Sequence, residues 1–313
     1  MVAVPPSDPV LAAVVMSFRN EATVVGAVRS LLAQDPPVEV VVSHSGGGPT
    51  PALLARECPG VPLVASERRR YPGATRNAGV AATTAPYVSF LAADCLALPG
   101  WAAGRIARHV AGERAVASAL VPLRRDAPSL AANLLQHSNR MPGYRPLPSL
   151  RFGVSYARDA LERYGPFPEG PGFPEDVVVN QRLLAAGIPI AWAPDVVSTH
   201  DYPGTLRRMV ADQHRRGRIH GALHGAWPWR LLLASRVPLE AVVALRRAAT
   251  GRPPTPARDL VRAGPALALA TVAQATGKVR GGGDVDPAAR EYVARRRRAR
   301  LGRVARGGPD RGR

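Results

Sequence analysis

Cysteine is scarce: two residues, Cys58 and Cys95, in a chain of 313. Two thiols are too few for a disulfide framework or a four-ligand zinc site, and they point to a reducing compartment. Aromatic residues make up 5% of the chain. The core is therefore expected to be built from Ala, Val and Leu, and few rings are available to stack on nucleic-acid bases. No stretch approaches the roughly 18 uninterrupted apolar residues that span a bilayer; residues 263–275 come nearest and are too short and too polar. The first nine residues have no basic segment followed by an apolar one, so no signal peptide is expected. Acidic residues are outnumbered 23 to 42 by Lys and Arg, a formal net charge of +19. Such a surface attracts polyanions of every kind. Ala, Arg, Gly and Pro are all abundant, as in GC-rich coding, so part of the arginine excess is mutational. The densest basic run, residues 295–298, has no nucleic-acid module around it.

What is present is globular: 46% hydrophobic and 21% charged residues, enough for a sizeable core. The first half alternates regularly. Leu11–Met16 is a short apolar run, as expected of a strand buried on both faces. Asn20 is placed to cap a helix whose stripe is Val24, Val28, Leu31 and Leu32. Val38–Val42 is a second strand, running into Ser43-His44-Ser45 and a triple glycine at 46–48 that reads as a flexible turn. Thr50 and Pro51 open a second helix, Leu63–Ala65 is a third strand, Gly73–Ala82 a third helix, and Tyr87–Leu91 a fourth strand ending at Asp94. Four such alternations predict a doubly wound parallel sheet with helices on both faces. Ligands of such sheets bind outside the carboxyl ends of the strands, which singles out residues 17–21, 43–45 and Asp94.

Beyond residue 120 the pattern loosens. Residues 122–150 read as loop plus one helix and Phe152–Tyr156 as a strand. Glu175-Asp176 opens a helix closed by Gly187, and Ile188–Trp192 and Val196–Thr199 read as two short strands around Pro194, followed by His200. Residues 227–279 predict two amphipathic helices broken at 251–256. Residues 280–313 read as a disordered basic tail. The expected organisation is a main domain over 1–220. C-terminal helices over 221–279 and the tail follow.

A carboxylate at the exit of a buried strand, as at Asp94, is costly unless paired, and a divalent cation would relieve that cost; a turn or cap aspartate reads the same. Glu175 and Asp176 likewise fit a helix's first turn, where the dipole favours acids. Gly46-Gly47-Gly48 is not followed by Lys-Ser/Thr, so no Walker-type phosphate loop is present. His220 and His224 have the spacing of a zinc pair, but Gly221 stands where a metalloprotease needs Glu.

Taken in order, the strand ending Ser17-Phe18-Arg19-Asn20-Glu21, the Ala74-to-Gly79 helix with Arg76-Asn77, the Phe90-to-Asp94 strand end, and Glu175-Asp176 with the Asn180-to-Leu183 helix resemble family 2 glycosyltransferases of the GT-A fold. The resemblance covers roughly residues 10–220. It implies a GT-A-type, Rossmann-like, mostly parallel sheet and transfer of a sugar, with inversion, from a nucleotide-diphosphate sugar donor to an acceptor hydroxyl. On matching positions, Phe18 and Glu21 bind the nucleotide, Arg76 lies near the diphosphate, and Asp94 meets a divalent cation, Mg²⁺ or Mn²⁺. Asp176 is the catalytic base with Glu175 beside it in the donor site. His200 sits where many members complete the metal or diphosphate site; a polar residue at a strand end is the plain reading. The family's Asp-X-Asp has become Ala92-Ala93-Asp94, and Ser43-His44 stands where one or two Asp normally follow the second strand. These losses leave a second expectation open, a non-catalytic nucleotide-binding or scaffold protein of the same fold. The expected setting is cytoplasmic, with the basic C-terminus touching an anionic membrane from the inner face, and an acceptor in cell-envelope glycan, glycolipid or secondary-metabolite synthesis. A nucleic-acid partner is not expected.

Overall fold

The structure, a computed structural model, describes residues 8–251 and 253–305, with side chains as far as residue 299. The chain forms two compact units that interleave in sequence. The first comprises residues up to Ala119, Pro148–Glu169 and Glu175–Thr199; the second comprises Leu120–Leu147, Gly170–Pro174 and the chain from His200 onward.

The first unit opens with the alternation expected: β1 (Leu11–Ser17), α1 (Val24–Leu32), β2 (Glu39–Ser45), α2 (Thr50–Glu57), β3 (Leu63–Ser66), α3 (Pro72–Ala81) and β4 (Tyr87–Ala92). β3, β2, β1 and β4 lie side by side and run parallel. The register sets Ser17 opposite His44 and Ser45 opposite Ser66, so the loops after these strands leave from one edge of the sheet. β1 is all apolar until Met16 because helices cover both of its faces. Asn20 does not cap α1. Thr23 holds the cap position, and Asn20 instead folds its own loop, its Oδ1 accepting from Phe18 N at 3.1 Å. Thr50 is the first residue of α2 and Pro49 precedes it at the cap.

β5 (Cys95–Ala97) and α4 (Trp101–Val110) follow, then β6 (Ala115–Pro122). After an excursion into the second unit the chain returns with β7 (Ser155–Ala157), α6 (Arg158–Tyr164), α7 (Glu175–Ala185) and β8 (Ala191–His200). The sheet has eight strands in the order β3-β2-β1-β4-β7-β6-β8-β5. It is mixed: β7 pairs antiparallel with both β4 and β6. The two short strands expected around Pro194 are one strand, β8, which carries the proline within it. One core cluster joins Val14, Val88 and Phe90 to Tyr156, Phe167, Val179 and Leu183, so the early strands and α7 share a single apolar interior.

The second unit is helical: α5 (Ala127–His137), α8 (Leu206–His224), α9 (Trp227–Ser235), α10 (Val237–Thr250), α11 (Ala257–Arg280) and α12 (Pro287–Ala305). The break at 251–256 is present, and Arg236 adds a second one. Its core is rich in alanine (Ala131, Ala132, Ala241, Ala244, Ala263, Ala266, Ala270) around Leu130, Met209 and Tyr202. The tail reading needs correction: residues 287–305 are helix. Asp286 Oδ1 accepts from Ala288 N at 2.8 Å to start it, Glu291 pairs with Arg295 one turn on, and Ala289 is buried with Ala222 and Val285. Residues 306–313 of the expected tail lie outside the described residues.

Candidate active site

Two clusters in the first unit occupy the edge where β1, β2, β3 and β4 end. The first is built on the loop after β2. Gly46, Gly47 and Gly48 all have positive φ, 93°, 62° and 87°. L-side chains rarely adopt that backbone, so the triple glycine is a shaped turn. A Cβ on Gly46 would come within 2.6 Å of Phe18 Cε2, so glycine lets the Phe18 ring lie on the loop. Phe18 in turn carries two cations, with Arg69 4.8 Å and Arg19 5.3 Å from its ring centre. Arg69 also covers Tyr71 at 4.7 Å. Arg19 has a φ of 55°, the one positive value at a residue other than glycine among the described residues.

His44 holds this loop from beneath. Its side chain is fully buried, with Nδ1 3.2 Å from Ser17 Oγ and Nε2 2.8 Å from the Gly47 carbonyl. A carbonyl only accepts, so Nε2 carries the proton and Nδ1 accepts from the serine. Glu21, half-buried, accepts from Thr50 Oγ1 at 3.4 Å. His44 is thus an imidazole that braces the glycine loop.

The second cluster is an ion network. Arg76, in the second turn of α3, gives Nη2 to Asp176 Oδ2 at 3.0 Å and lies 3.5 Å from Glu175 Oε1. Both acids open α7, as the sequence suggests. The guanidinium packs between Phe90 at 4.8 Å and Phe167 at 5.4 Å. Arg76 and Asp176 are 8% and 9% exposed, and Asp176 Oδ1 and Arg76 Nε are buried without a partner. Burial and then the neighbouring Asp176 charge push the Glu175 carboxyl above its usual range, against the pull of Arg76. Burial works to lower the Arg76 pKa, but the Asp176 and Glu175 charges outweigh it and raise it. Burial and Asp176 also raise the nearby Tyr156 phenol, whose hydroxyl donates to Asn180 Oδ1 at 3.1 Å.

Asn77 explains how α3 and α7 keep this geometry. Its amide nitrogen donates to Phe167 O at 2.9 Å and Glu169 Oε1 at 2.8 Å, and its oxygen accepts from Phe167 N at 3.0 Å. The segment leading towards α7 is therefore clamped to α3 by the residue next to Arg76. Neither Asn77 nor Phe167 stands out as a site residue in the sequence, although Asn77 lies in the matched motif.

Asp94 is half-buried in the turn between β4 and β5, and Cys95 Sγ donates to its Oδ1 over 3.8 Å. A carboxylate oxygen suits a hard divalent cation, and a neighbouring thiol adds a softer donor, so the residues present fit such an ion. The structure brings together Arg76, Glu175 and Asp176, and separately Phe18 and Glu21 around the glycine loop. His200 ends β8 and belongs to the second unit, where its ring stacks on Tyr202 at 4.2 Å with His137 5.6 Å away. Arg69 and Glu67 beside the glycine loop were legible only as a charge run after β3.

Residues 13–159 match the model of glycosyl transferase family 2. This segment belongs to that family. Over 84 residues the chain is 40% identical to a succinoglycan biosynthesis protein, ExoO, of Rhizobium meliloti, covering 26% of this chain and 24% of the relative. Over 150 residues it is 31% identical to a pre-mycofactocin glycosyltransferase of Mycobacterium tuberculosis, covering 45% and 32%. The matches thus span a quarter to a third of the length of these curated relatives. Among solved structures, the mannosyltransferase PcManGT of Pyrobaculum calidifontis, in complex with GDP-Man and Mn²⁺, superposes with a TM-score of 0.52 at 20% identity, over 95% of this chain and 82% of that one. That likeness establishes the GT-A-type fold of the family 2 segment. Arg76, Phe90 and Asp94 fall inside the matched segment, whereas Glu175, Asp176 and His200 lie beyond it.

Proposed function

We propose that this chain is an inverting glycosyltransferase that moves a sugar from a nucleotide-diphosphate donor to an acceptor hydroxyl, with Asp176 as the base. The observation that carries this reading is the buried Arg76–Asp176 pair with one carboxylate oxygen, Oδ1, left without a partner. Arg76 fixes the orientation of Asp176 through this contact. The unpartnered oxygen is then available to take the proton of the acceptor hydroxyl as that oxygen attacks the anomeric carbon and the bond to the diphosphate breaks. We assign Arg76 to positioning Asp176, in place of the diphosphate contact implied by resemblance. Phe18 and Glu21, on the loop braced by His44, are assigned to the nucleotide. A divalent cation on Asp94 would offset the charge of the departing diphosphate when bound. The names of the relatives, a succinoglycan biosynthesis protein and a pre-mycofactocin glycosyltransferase, support an acceptor in envelope glycan or secondary-metabolite synthesis.

The test is a panel of UDP-, GDP- and TDP-sugars with sugar and lipid-linked acceptors, read by nucleotide diphosphate release and by the anomeric configuration of the product. Asp176→Asn is expected to lower kcat by roughly 10²–10⁴ with donor binding intact. Release unaffected by this substitution would sink the mechanism. A second reading, a non-catalytic nucleotide-binding or scaffold protein of the same fold, is favoured by one observation: Ser43 and His44 are fully buried, and His44 bonds the protein's own loop where the family's Asp would face the base. No binding of UDP, GDP or TDP by calorimetry with Mn²⁺ would support a scaffold; binding without turnover would support a nucleotide-binding role.

Contact with an anionic membrane surface is part of the same proposal. No helix among the described residues is long and apolar enough to cross a bilayer. α9 and α10 nonetheless expose Trp227, Leu231, Leu232, Leu239 and Val242 in segments that also carry Arg230, Arg236 and Arg246. Apolar side chains beside arginines suit the interface of an anionic bilayer. Flotation with phosphatidylglycerol vesicles tests it, and Trp227→Ser with Leu239→Ser is expected to reduce the bound fraction.

A further inference from the structure

Within the second unit, α5, α8, α10 and α11 line an open pocket of about 300 Å³ that includes Gln136, His137, Arg216, His220, Glu240 and Lys278. α8 and α11 cross closely here because Gly217 has no side chain; a Cβ on it would strike the Gln274 carbonyl. Lys278 is the single lysine among the 42 basic residues of the chain. Its side chain is 4% exposed, and its carboxylate partner, Glu240, lies at 3.3 Å and is half exposed. Three N–H donors on a buried ammonium thus share one long contact, and taking such a group out of water is costly unless its hydrogen bonds are replaced. Two further atoms of the lining, Gln136 Oε1 and His220 Nδ1, are buried without a partner. Arg216 gives its Nε to Asp212 at 2.7 Å, which leaves its two terminal nitrogens for another acceptor. Burial first, then Lys278 and His224, lower His220 to about 3, so its ring is neutral and adds hydrogen bonding without charge.

The ionised lining side chains are two cations and one carboxylate, and the cations come from different helices. A tetrahedral oxyanion meets donors arriving from several directions, and guanidinium and ammonium groups are its usual partners. We propose that this cavity binds a phosphate group, carried on a small molecule or on a lipid headgroup, through Lys278 and Arg216. The site rests on the second unit alone and stands whether or not sugar transfer is found.

A single lysine makes the test direct. The full chain labelled with [13C]lysine yields one lysine side-chain signal, and His220 is followed through its imidazole proton. Titration with inorganic phosphate is expected to shift both saturably. Arg216→Gln, at a half-exposed side chain that leaves the fold intact, is expected to weaken the response by roughly tenfold or more. A parallel arm uses phosphatidic acid vesicles, with phosphatidylglycerol vesicles as the charge control. Saturation by free phosphate assigns a soluble ligand; broadening of the Lys278 signal by phosphatidic acid alone, lost in Arg216→Gln, assigns a headgroup. Signals that follow neither probe, or that shift equally in wild type and Arg216→Gln, mean a cavity filled by water only and overturn the proposal.

Discussion

Replacing Arg76 with methionine keeps most of the volume of the side chain and removes its charge. Two adjacent carboxylates, Glu175 and Asp176, then face a buried apolar wall of Phe90 and Phe167. Breaking a buried pair by removing one partner costs about 3–5 kcal/mol. The three side chains are 9%, 15% and 12% exposed, so solvent screening discounts little of it. At about 2–4 °C per kcal/mol for a unit of this size, the thermal midpoint of the first unit should fall by roughly 6–20 °C. The loss should depend on pH with a definite sign. Glu175 already has a raised carboxyl in the folded state, and without Arg76 it rises further. A raised carboxyl penalises folding only where it must ionise, so the deficit is small in acid and grows as pH rises through the folded-state value. Calorimetric midpoints of wild type and variant at pH 5 and pH 8 read this directly. Kinetics separate the two roles considered for Arg76: a positioning residue lowers kcat with the donor KM little changed, whereas a diphosphate ligand raises the donor KM. An unchanged midpoint, a deficit that shrinks towards alkaline pH, or a purely KM effect would each refute the assignment.

Four further outcomes are expected. Gly46→Ala forces a side chain onto a φ of 93° and against Phe18, a strain of about 1–2 kcal/mol, and should weaken nucleotide binding measured by calorimetry; wild-type affinity would remove the glycine loop from the site. His44→Ala removes the brace to Ser17 and Gly47 and should cost about 1–3 kcal/mol in urea unfolding, with a parallel rise in donor KM. Asp94→Ala should abolish the Mn²⁺ dependence of nucleotide binding, as a chelator should in wild type, and binding that ignores both would exclude Asp94 as a ligand. His109 is buried and held down to about 4 from 6.5, chiefly by burial, so its stabilising contribution is complete above pH 6.5 and is lost as pH falls towards 4. Its share is about 3 kcal/mol, and His109→Gln should flatten the stability profile across that window.

The early strands and helices were legible because their signals are local. Parallel strands buried on both faces read as continuous apolar runs, and α1 shows its stripe within nine residues. The strand at β7 was legible, but its antiparallel pairing with β4 and β6 was not, since strand direction depends on which distant strands it joins. Helix α12 was hidden by charge: four successive arginines read as solvated chain, yet alanine burial and an i,i+4 pair support a helix.

The candidate site divides in the same way. The residue types and their order, Phe18 and Glu21, Arg76-Asn77, Asp94, Glu175-Asp176, were determined by the sequence itself and sufficed for the family resemblance. Their partnerships were not. Arg76 meets Asp176 across 100 positions of chain and Asn77 meets Phe167 across 90, and the cavity around Lys278 draws on four helices. Such pairings depend on how sheet register and helix crossings bring distant segments together, which no local pattern encodes. Sequence alone therefore determined the alternating β/α framework and the chemical groups it carries. Only the tertiary structure decided that His44 braces a loop and that Arg76 holds Asp176, because burial and distance select among the partners each group could take.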